Sequence, residues 1–260
     1  MRLNDKYLLL TGASGGIGQA IAHELDKTGV HLLLAGRNKE KLAALQQKLS
    51  GNHQLIEADI NTPEGRQAIV SAAQQVNIKL FVNACGVLSF DLFEQQEAKL
   101  IEQMITTNLL SPMLLCQQLV PLLRQHKEAA IINIGSIFGS IGHPGFTAYC
   151  ASKFGLRGFT EALQRELADS PIQVSYLAPR ATQTDLNASN VTALNKALGN
   201  AVDAPELVAK EVMKLISGAN KQCYMGWPEK LFVRLNGLFP SIVHNALVKK
   251  LPVIRRYAQQ

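Results

Sequence analysis

Short apolar runs, separated by longer helical patterns, are the feature that most constrains the fold of this chain. The runs lie at residues 7–11, 30–35, 54–58, 80–83, 130–134, 173–177 and 222–225. Several are apolar at successive positions, which is typical of strands buried on both faces. Amphipathic stretches at 18–28, 39–49 and 146–168 are long enough to cross between parallel strands. The pattern predicts an α/β protein with a doubly wound, predominantly parallel sheet of six to seven strands, helices on both faces and a C-terminal helical extension.

The composition indicates one large globular domain. Of 260 residues, 47% are hydrophobic and 18% are charged, which suits a substantial core and excludes extensive disorder. No repeat or linker precedes about residue 226, so we expect a main domain at 1–226 and a helical extension at 227–260 that is not an independent domain. No apolar run reaches the roughly 18 residues of a membrane-spanning helix, so none is predicted.

The positive charge of the chain is concentrated at its C-terminal end. Residues 221–260 contain seven basic side chains and one acidic side chain, and so carry the whole net charge of +6. The neutral remainder has no basic stripe, which argues against nucleic-acid binding. The four cysteines (Cys85, Cys116, Cys150 and Cys223) form no C-x-x-C pair, and the six histidines are scattered, so no metal site or disulfide scaffold is predicted. With no signal-peptide pattern at the start, the sequence predicts a cytoplasmic protein.

A glycine-rich loop follows the first predicted strand and leads straight into a helix. Its sequence is TGASGGIG at 11–18, and its candidate cofactor contacts are Gly12, Ser14, Gly15, Gly16, Ile17 and Gly18. Glycines let the backbone approach a pyrophosphate, whose charge is stabilised by the N–H groups at the helix start. Such a loop between a strand and a helix predicts a Rossmann dinucleotide site. The alternative is an ordinary strand-to-helix turn.

The end of the second strand indicates which nicotinamide cofactor is bound. A free ribose 2′-hydroxyl calls for an Asp or Glu acceptor at this point, but the sequence has Arg37, which suits a 2′-phosphate. We therefore expect NADP(H) rather than NAD(H), although a solvated arginine would give the same sequence. Asp59 and Ile60 follow the third strand, where the carboxylate can accept from an adenine amino group or cap the next helix. Asn83 and Gly86 follow the fourth strand and are expected beside the ribose.

Together these motifs resemble the short-chain dehydrogenase/reductase family over about residues 5–225. The resemblance is carried by the glycine loop, the turn NACG at 83–86, Asn108, Ser136 and the Tyr-x-x-x-Lys motif of Tyr149 and Lys153. It implies that Asn108, Ser136, Tyr149 and Lys153 are catalytic, and that Tyr149, Lys153, Pro179, Thr182 and Thr184 contact the cofactor. It also implies a homo-oligomer, a dimer or tetramer. Two positions depart from the family pattern: the turn is N-A-C-G rather than N-N-A-G, and Arg180 replaces a glycine.

The chemistry of Tyr149 and Lys153 can also be argued from their spacing. Residues four apart on a helix share a face, so the ammonium of Lys153 is expected beside the phenol of Tyr149. A nearby positive charge lowers the pKa of a phenol, whose ordinary value is about 10. Tyr149 can then donate a proton to a carbonyl oxygen or accept one from an alcohol, while Ser136 donates a hydrogen bond to the same oxygen.

Pro112 lies inside a helix predicted over residues 103–125. Proline has no N–H, so the carbonyl of Asn108 loses its helical hydrogen bond. Family members use this carbonyl to hold a water that links the catalytic lysine to solvent. We interpret Pro112 as keeping the carbonyl available for such a relay, with a tolerated kink as the alternative.

The substrate region is expected at 137–146 and 185–202, the second segment forming a helical lid. His143 falls between Ser136 and Tyr149, and its position favours a solvated loop side chain over a substrate contact. The extension repeats apolar residues at helical spacing on both sides of Pro240. It can cover the pocket, form a subunit interface, or make peripheral contact with an anionic membrane; packing within the protein is favoured.

The function predicted from these observations is an NADPH-dependent reductase of the short-chain type. Domain 1–226 is expected to bind NADP(H) and to reduce a ketone or aldehyde, apolar or lipid-like, with Tyr149 as the proton donor. The alternatives are an NAD-dependent alcohol dehydrogenase and a non-catalytic NADP(H)-binding sensor of the same fold.

Overall fold

The computed structural model describes residues 6–218 and 222–258, which form seven strands and ten α-helices. The strands are β1 (Tyr7–Thr11), β2 (His31–Gly36), β3 (Gln54–Glu57), β4 (Leu80–Asn83), β5 (Ala129–Ile134), β6 (Ile172–Ala178) and β7 (Gln222–Tyr224). The helices are α1 (Gly16–Asp26), α2 (Lys39–Gln46), α3 (Pro63–Gln75), α4 (Ala98–Ile105), α5 (Ser111–Leu123), α6 (Thr147–Glu166), α7 (Ser189–Ala197), α8 (Pro205–Ile216), α9 (Glu229–Leu238) and α10 (Pro240–Ala258). Strand and helix bounds lie within a few residues of the predicted ones where both exist.

The seven strands form one sheet in the order β3-β2-β1-β4-β5-β6-β7, and every pairing is parallel. The order reverses direction between β1 and β4, which is the switch point of a doubly wound fold. Ligands of such sheets bind beyond the carboxyl ends of the strands at this point. The predicted Rossmann fold is therefore confirmed, and it fixes where a site is to be sought.

Helices cover the sheet on both faces because its strands are apolar at successive positions. Leu8 and Leu10 of β1 face a core that includes Ile21 of α1 and Val208 of α8. Leu9, between them, faces the opposite core, built with α3 and α5. Burial of one strand on both sides accounts for the continuous apolar runs in the sequence.

The helix predicted over 103–125 differs from the observed one. Helix α4 begins earlier, at Ala98, and a π-helical turn at Thr106–Leu110 separates it from α5. The backbone N–H of Ser111 donates to the carbonyl of Thr106, five residues earlier. Pro112 stands in the first turn of α5, so the wider turn lies where proline removes the hydrogen bond to Asn108.

The C-terminal extension forms two helices that pack against the main domain. Val243, Ile254 and Ala258 of α10 are buried in two apolar clusters with residues of β6, α6 and α7. Asn236 of α9 donates to the carbonyl of Ser140, 2.9 Å away. Of the three interpretations of this segment, packing on the chain itself is present in the structure. The boundary at residue 226 stays a prediction. No helix among residues 6–218 and 222–258 is long and apolar enough to span a membrane.

Candidate active site

The glycine loop is shaped for close backbone contacts at the carboxyl end of β1. Gly12 has a φ of +68°, and a Cβ there would lie 2.6 Å from the carbonyl oxygen of Ala84. A Cβ on Gly18 would overlap the carbonyl of Gly12. Helix α1 begins at Gly16, and no side chain caps its first N–H groups. The loop therefore offers free N–H donors and no side-chain obstruction, which fits a pyrophosphate.

Ser14 lies against Gly36, the last residue of β2, which directly precedes Arg37 in the chain. A Cβ on Gly36 would lie 3.3 Å from Ser14 Oγ, so the loop passes directly over this strand end. Arg37 is exposed. Asn38 rather than Arg37 caps α2, through a 2.7 Å hydrogen bond from the N–H of Lys41. Arg37 directly precedes this cap, and its guanidinium has only hydrogen-bond donors, which suit a phosphate.

Asp59 and Ile60 occupy the turn after β3, beside β2. Asp59 Oδ1 accepts a 2.9 Å hydrogen bond from the N–H of Asn61, and helix α3 is capped by Thr62. The alternative in which Asp59 caps the helix is therefore wrong. Ile60 is buried. The half-buried carboxylate retains acceptor positions for an adenine amino group.

The side chain of Asn83 forms hydrogen bonds inside the sheet rather than beyond the carboxyl ends of the strands. Its side chain accepts from Thr11 Oγ1 at 3.3 Å and donates to Asn133 Oδ1 at 3.2 Å, and Asn133 donates in turn to Thr160. This buried ladder joins β1, β4, β5 and α6 at one level. In the turn that follows, the N–H of Cys85 donates to Asn83 Oδ1, and the contact of this turn with a ribose stays a prediction.

Tyr149, Ser136 and Lys153 come together at the carboxyl end of β5. Tyr149 and Lys153 lie one turn apart on α6, with Lys153 Nζ 5.8 Å from the centre of the Tyr149 ring. The lysine is 3% exposed and donates to the carbonyl of Ile134 at 3.2 Å. Ser136 follows β5, and its Oγ accepts from the N–H of Phe138. The predicted catalytic set is thus brought into one place.

Burial dominates the ionisation of the two α6 side chains. It raises the pKa of Tyr149 to about 12, against the smaller lowering effect of a hydrogen bond with Ser136. It lowers the pKa of Lys153 to about 8. The sequence argument expected the ammonium of Lys153 to lower the phenol pKa, whereas burial sets the direction of the shift and the lowering contribution comes from Ser136. Tyr149 is consequently a neutral proton donor at neutral pH, and Lys153 is largely charged.

The side chain of Asn108 connects three segments of the site. Asn108 is fully buried; it accepts from the N–H of Val87 at 2.8 Å and donates to Ser152 Oγ at 3.0 Å. Ser152 Oγ donates to the carbonyl of Tyr149. A Cβ on Gly86 would lie 3.6 Å from both Asn108 Oδ1 and Lys153 Nζ. The π-helical turn, the NACG turn and α6 therefore meet at the lysine.

Tyr176 supports Ser136 and was not identified from the sequence. Its hydroxyl accepts from the N–H of Ser136 at 3.2 Å and donates to the carbonyl of the same residue at 3.1 Å. A Cβ on Gly135 would overlap the Tyr176 ring. The sequence showed only that an aromatic residue lies in the buried sixth strand. Its position beside Ser136 depends on the pairing of β5 with β6.

The loop after β6 lies against the glycine loop. A Cβ on Gly16 would come 2.8 Å from Thr184 Cγ2, and the carbonyl of Pro179 accepts from the N–H of Ile137 at 3.0 Å. Thr182 is buried, with its hydroxyl donating to the carbonyl of Arg180. The loop thus bridges the phosphate end and the Ser136 end of the crevice, as a nicotinamide contact requires.

Arg180, the departure from the family pattern, forms two ion pairs. One guanidinium nitrogen lies 2.6 Å from Asp203 and another 3.3 Å from Glu229 at the start of α9. These contacts raise the pKa of Arg180, and the largest cause is the hydrogen bond that Arg180 donates to Asp203. Arg180 therefore links the loop after β6 to the end of the lid and to the extension, and its charge is balanced.

A cavity of about 440 Å³ opens beside Ser136 and Tyr149. Its walls include Ile17, Pro179, Thr182 and Thr184 from the predicted cofactor set. Apolar side chains come from three further parts of the chain: Phe138 and Phe146 near the catalytic set, Val191 and Leu194 on α7, and Phe232, Val243 and Leu247 on α9 and α10. Lys250 is a charged group on its wall. The volume and the apolar lining are typical of a small-molecule site.

His143 is buried on the wall of this cavity, so its interpretation as a solvated side chain is wrong. Its ring stacks on Phe138 with centroids 4.9 Å apart, and Nδ1 lies 2.8 Å from the carbonyl oxygen of Pro144. Burial lowers the His143 pKa, so the ring is neutral at neutral pH. Nδ1 must donate to that carbonyl, which leaves Nε2 as an acceptor. No cluster of metal-ligating side chains occurs in the part of the chain that the structure describes.

The comparisons with known proteins agree with this geometry. The family model described as short chain dehydrogenase matches residues 6–195. The 3-oxoacyl-(acyl-carrier-protein) reductase of Rickettsia felis is 37% identical over 184 residues, covering 71% of this chain and 76% of its own. Carbonyl reductase family member 4 of Danio rerio is 35% identical over 187 residues, covering 71% and 78%. A crystal structure of 3-ketoacyl-(acyl-carrier-protein) reductase from Brucella melitensis, complexed with NADH, has a TM-score of 0.80 at 23% identity and covers 87% of this chain and 99% of its own.

The doubly wound sheet, the glycine loop and the clustered Ser, Tyr and Lys side chains define a nicotinamide-dependent oxidoreductase that acts on C=O and CH–OH groups. The chain belongs to the short-chain dehydrogenase/reductase family.

Proposed function

We propose that this protein is an NADPH-dependent reductase that converts an apolar ketone or aldehyde to an alcohol, with Tyr149 as the proton donor. One observation carries the proposal. The phenol of Tyr149 and the hydroxyl of Ser136 lie together on the wall of an apolar cavity, with a buried lysine amine 5.8 Å from the phenol ring. A protein that only binds a dinucleotide has no need of an acid at this place.

The residues of the crevice fit a nicotinamide dinucleotide. The glycine loop at 12–18 would hold the pyrophosphate, Asp59 and Ile60 the adenine, and Arg37 with Ser14 the ribose phosphate. The turn at 83–86 would lie along the ribose, and Pro179, Thr182 and Thr184 beside the nicotinamide. When bound, the reduced cofactor supplies the hydride to the carbonyl carbon.

Tyr149 would supply the proton to the carbonyl oxygen. An alkoxide is about as basic as hydroxide and far more basic than a phenolate, so a phenol with a pKa of about 12 still donates its proton downhill. Ser136, held at both its N–H and its carbonyl by Tyr176, would donate a second hydrogen bond to the oxygen as its charge develops. The neutral His143 ring and the phenylalanines around it keep this part of the cavity apolar.

Lys153 and Asn108 would return a proton to Tyr149 after each turnover. Lys153 has a pKa of about 8 and exchanges protons readily near neutral pH. The carbonyl of Asn108 cannot receive a hydrogen bond from Pro112 and is available to a water. The side chain of Asn108 already binds Val87 and Ser152, so the relay uses its backbone.

The preference for NADP(H) over NAD(H) rests on Arg37. It stands at the end of β2, with no carboxylate before Glu40 to accept from a ribose 2′-hydroxyl. NAD(H) is the second candidate, and a reductase of similar fold from Brucella melitensis is complexed with NADH. An NAD-dependent alcohol dehydrogenase is the corresponding alternative activity. Nicotinamide fluorescence on binding NADPH and NADH separates the two, since our proposal requires the tighter binding of NADPH.

The substrate is proposed to be lipid-like. The cavity is lined by aliphatic and aromatic side chains from three parts of the chain, and the 3-oxoacyl reductases among the relatives are named for an acyl ketone. Arg180, on the cavity wall, is paired with two carboxylates, so it does not call for an anionic substrate there.

A panel of ketones and aldehydes of increasing chain length, run with wild type and Tyr149→Phe, tests the proposal. We expect NADPH oxidation with longer apolar carbonyls in wild type, and none in the variant, which should still bind NADPH. Activity that survives in Tyr149→Phe would exclude Tyr149 as the proton donor. NADPH binding without turnover of any carbonyl in wild type would favour the sensor alternative.

The homo-oligomer and the cytoplasmic location also stay proposals. Leu110, Met113 and Phe154 are exposed apolar residues on adjoining turns of the π-helical segment, α5 and α6, and they suit a subunit contact. All four cysteines are free, which suits a reducing compartment. Light scattering of the purified protein tests the first proposal, with a dimer or tetramer expected.

A further inference from the structure

The two helices of the extension have an inward face and an outward face. On α9, Glu229, Phe232 and Asn236 point inward, to Arg180, to the cavity and to Ser140 respectively. On α10, the inward residues are Val243, Ala246, Leu247, Lys250 and Ile254, which line the cavity or the core. These positions follow helical spacing. Val233 and Leu235 of α9, like Val253 and Tyr257 of α10, also pack on the core. The outward face therefore consists of the exposed residues among those that remain.

The outward face combines large apolar side chains with positive charge. Its apolar members are Trp227, Leu231, Leu238, Phe239, Ile242 and Val248, and its cations are Lys230, Arg234, Lys249, Arg255 and Arg256, all of them exposed. Trp227 is 70% exposed and Leu238 is 73% exposed. We call this set the tail face. Leu238, Phe239 and Ile242 lie at the junction of α9 and α10, and all three are exposed.

The tail face carries no negative charge. Glu229 is the one acidic residue between positions 222 and 258, and it is turned inward onto Arg180. The ion pair therefore removes the carboxylate that would oppose the cations. A face with this composition is complementary to a surface that is both anionic and apolar beneath its charges.

We propose that the tail face docks the protein on an anionic lipid bilayer, with Leu238, Phe239 and Ile242 entering the headgroup region and the lysines and arginines contacting lipid phosphates. An interface with a second copy of the chain is the competing occupant. It is disfavoured because two identical cationic faces would repel each other. An interfacial position, rather than a spanning one, also agrees with the segmented helices of the extension.

Vesicle flotation of the full-length protein tests the proposal without any need for substrate. The probes are vesicles of phosphatidylcholine alone and vesicles of phosphatidylcholine with phosphatidylglycerol. We expect flotation with the anionic vesicles only. The bound fraction should fall by ~10-fold or more between about 0.1 M and about 1 M NaCl, because the Debye length shortens from about 10 Å to about 3 Å.

Matched variants distinguish vesicle binding through the tail face from nonspecific adsorption. Phe239→Glu and the double variant Lys230→Glu/Arg234→Glu should each lose binding by ~10-fold or more. Phe93→Glu, at a site 57% exposed against 56% for Phe239, and Arg124→Glu/Lys127→Glu should bind as wild type does. All four variants should keep the NADPH binding of wild type, which reports that they are folded.

Two results would overturn the proposal. One is the absence of flotation by wild type with anionic vesicles at low salt. The other is equal flotation by wild type and Phe239→Glu. If light scattering also shows that Phe239→Glu dissociates an oligomer, the tail face is a subunit interface. Flotation and light scattering do not depend on catalysis, so they test the membrane proposal independently of the proposed reductase activity.

Discussion

At the scale of single residues, the site contains a buried amine, Lys153, whose proposed function in catalysis comes at a cost to the stability of the folded protein. Lys153 is buried in the protein with one hydrogen bond, to the carbonyl of Ile134, and the burial that lowers its pKa to about 8 also penalises its charged form. Tyr149 is buried as a neutral phenol and has no such penalty at neutral pH. The amine is therefore the place where catalysis and stability conflict.

The stability of Lys153→Met should reveal this conflict. The unfolded chain binds a proton at this lysine up to about pH 10.5, whereas the folded chain releases it above about pH 8. Wild-type stability therefore rises between these pH values, and below about pH 8 the full penalty applies. We expect Lys153→Met to be more stable than wild type by up to ~3 kcal/mol at pH 7, with the difference shrinking towards pH 10.5.

Urea unfolding of the apo-protein at several pH values measures this effect. Lys127→Met, at an exposed position, is the control and should follow wild type at every pH. A stability difference between Lys153→Met and wild type that does not change with pH would contradict the burial penalty. The same variant should have lost its reductase activity.

The proposed preference for NADPH over NADH also depends on a single side chain, that of Arg37. Arg37→Ser should weaken NADPH binding ~10- to 100-fold and leave NADH binding unchanged, since charge-assisted hydrogen bonds to a phosphate are worth about 1.5–3 kcal/mol. Fluorescence titration with both cofactors measures the ratio. Lys39→Ser, a neighbouring exposed lysine, should alter neither affinity by more than a few fold. Equal losses for the two cofactors would contradict the proposed phosphate contact.

At the scale of elements, the π-helical turn is the feature most closely tied to function. It widens the backbone at Thr106–Leu110, where Pro112 cannot donate to the carbonyl of Asn108. Asn61 links this turn to the loop after β3, through hydrogen bonds with Thr107 and Ser111. The irregular turn is therefore held by side chains on both sides.

Pro112→Ala tests whether the free carbonyl is used. The variant regains an N–H that can bind Asn108, so we expect slower turnover and a changed pH profile, with cofactor affinity unaltered. Pro121→Ala, in the same helix α5 but away from the site, is the control and should behave as wild type. If both variants match wild type in rate and pH profile, the proline is a tolerated kink.

The sequence predicted the elements well wherever hydrophobic pattern alone decides them. All seven apolar runs are strands, and the glycine loop, the lid helix α7 and both helices of the extension were predicted. The π-helical turn was not, because a proline inside a predicted helix indicates a lost hydrogen bond or a kink but does not specify a wider turn. The sequence therefore indicated that a helical hydrogen bond is lost at Pro112, but not that a π-helical turn forms before it.

The side-chain network of the site was less predictable than the residues in it. Asn83 was expected at the ribose, yet the register of β1, β4 and β5 aligns it with Thr11 and Asn133 inside the sheet. His143 was expected in solvent, yet it stacks on Phe138. Both outcomes depend on which strands and loops become neighbours, and local sequence does not carry that information.

At the scale of the whole molecule, the extension completes the substrate cavity. Phe232, Val243 and Leu247 form one wall, opposite the catalytic set on α6. Arg180 joins that wall to the main domain through Glu229 and to the lid through Asp203. A change in the extension is therefore expected to alter which substrates fit, rather than the chemistry.

Leu247→Ala tests whether the extension affects the fit of the substrate rather than the chemistry. Removing the side chain deletes part of the apolar wall, so KM for a long-chain ketone should rise by ~10-fold while kcat changes little. A short ketone that does not reach α10 should show no change. Val248→Ala, the next residue on the outward face, is the control. Equal effects of the two substitutions would show that the extension acts only through stability.

The central claim is that the phenol of Tyr149 protonates the carbonyl oxygen beside a bound nicotinamide. Single-turnover reduction of an active ketone by NADPH-saturated wild type and Tyr149→Phe tests it most directly. The account predicts that NADPH binds both proteins with similar affinity, and that the hydride-transfer rate falls by ~100-fold or more in the variant. A variant that binds NADPH and reduces the ketone at the wild-type rate would contradict it.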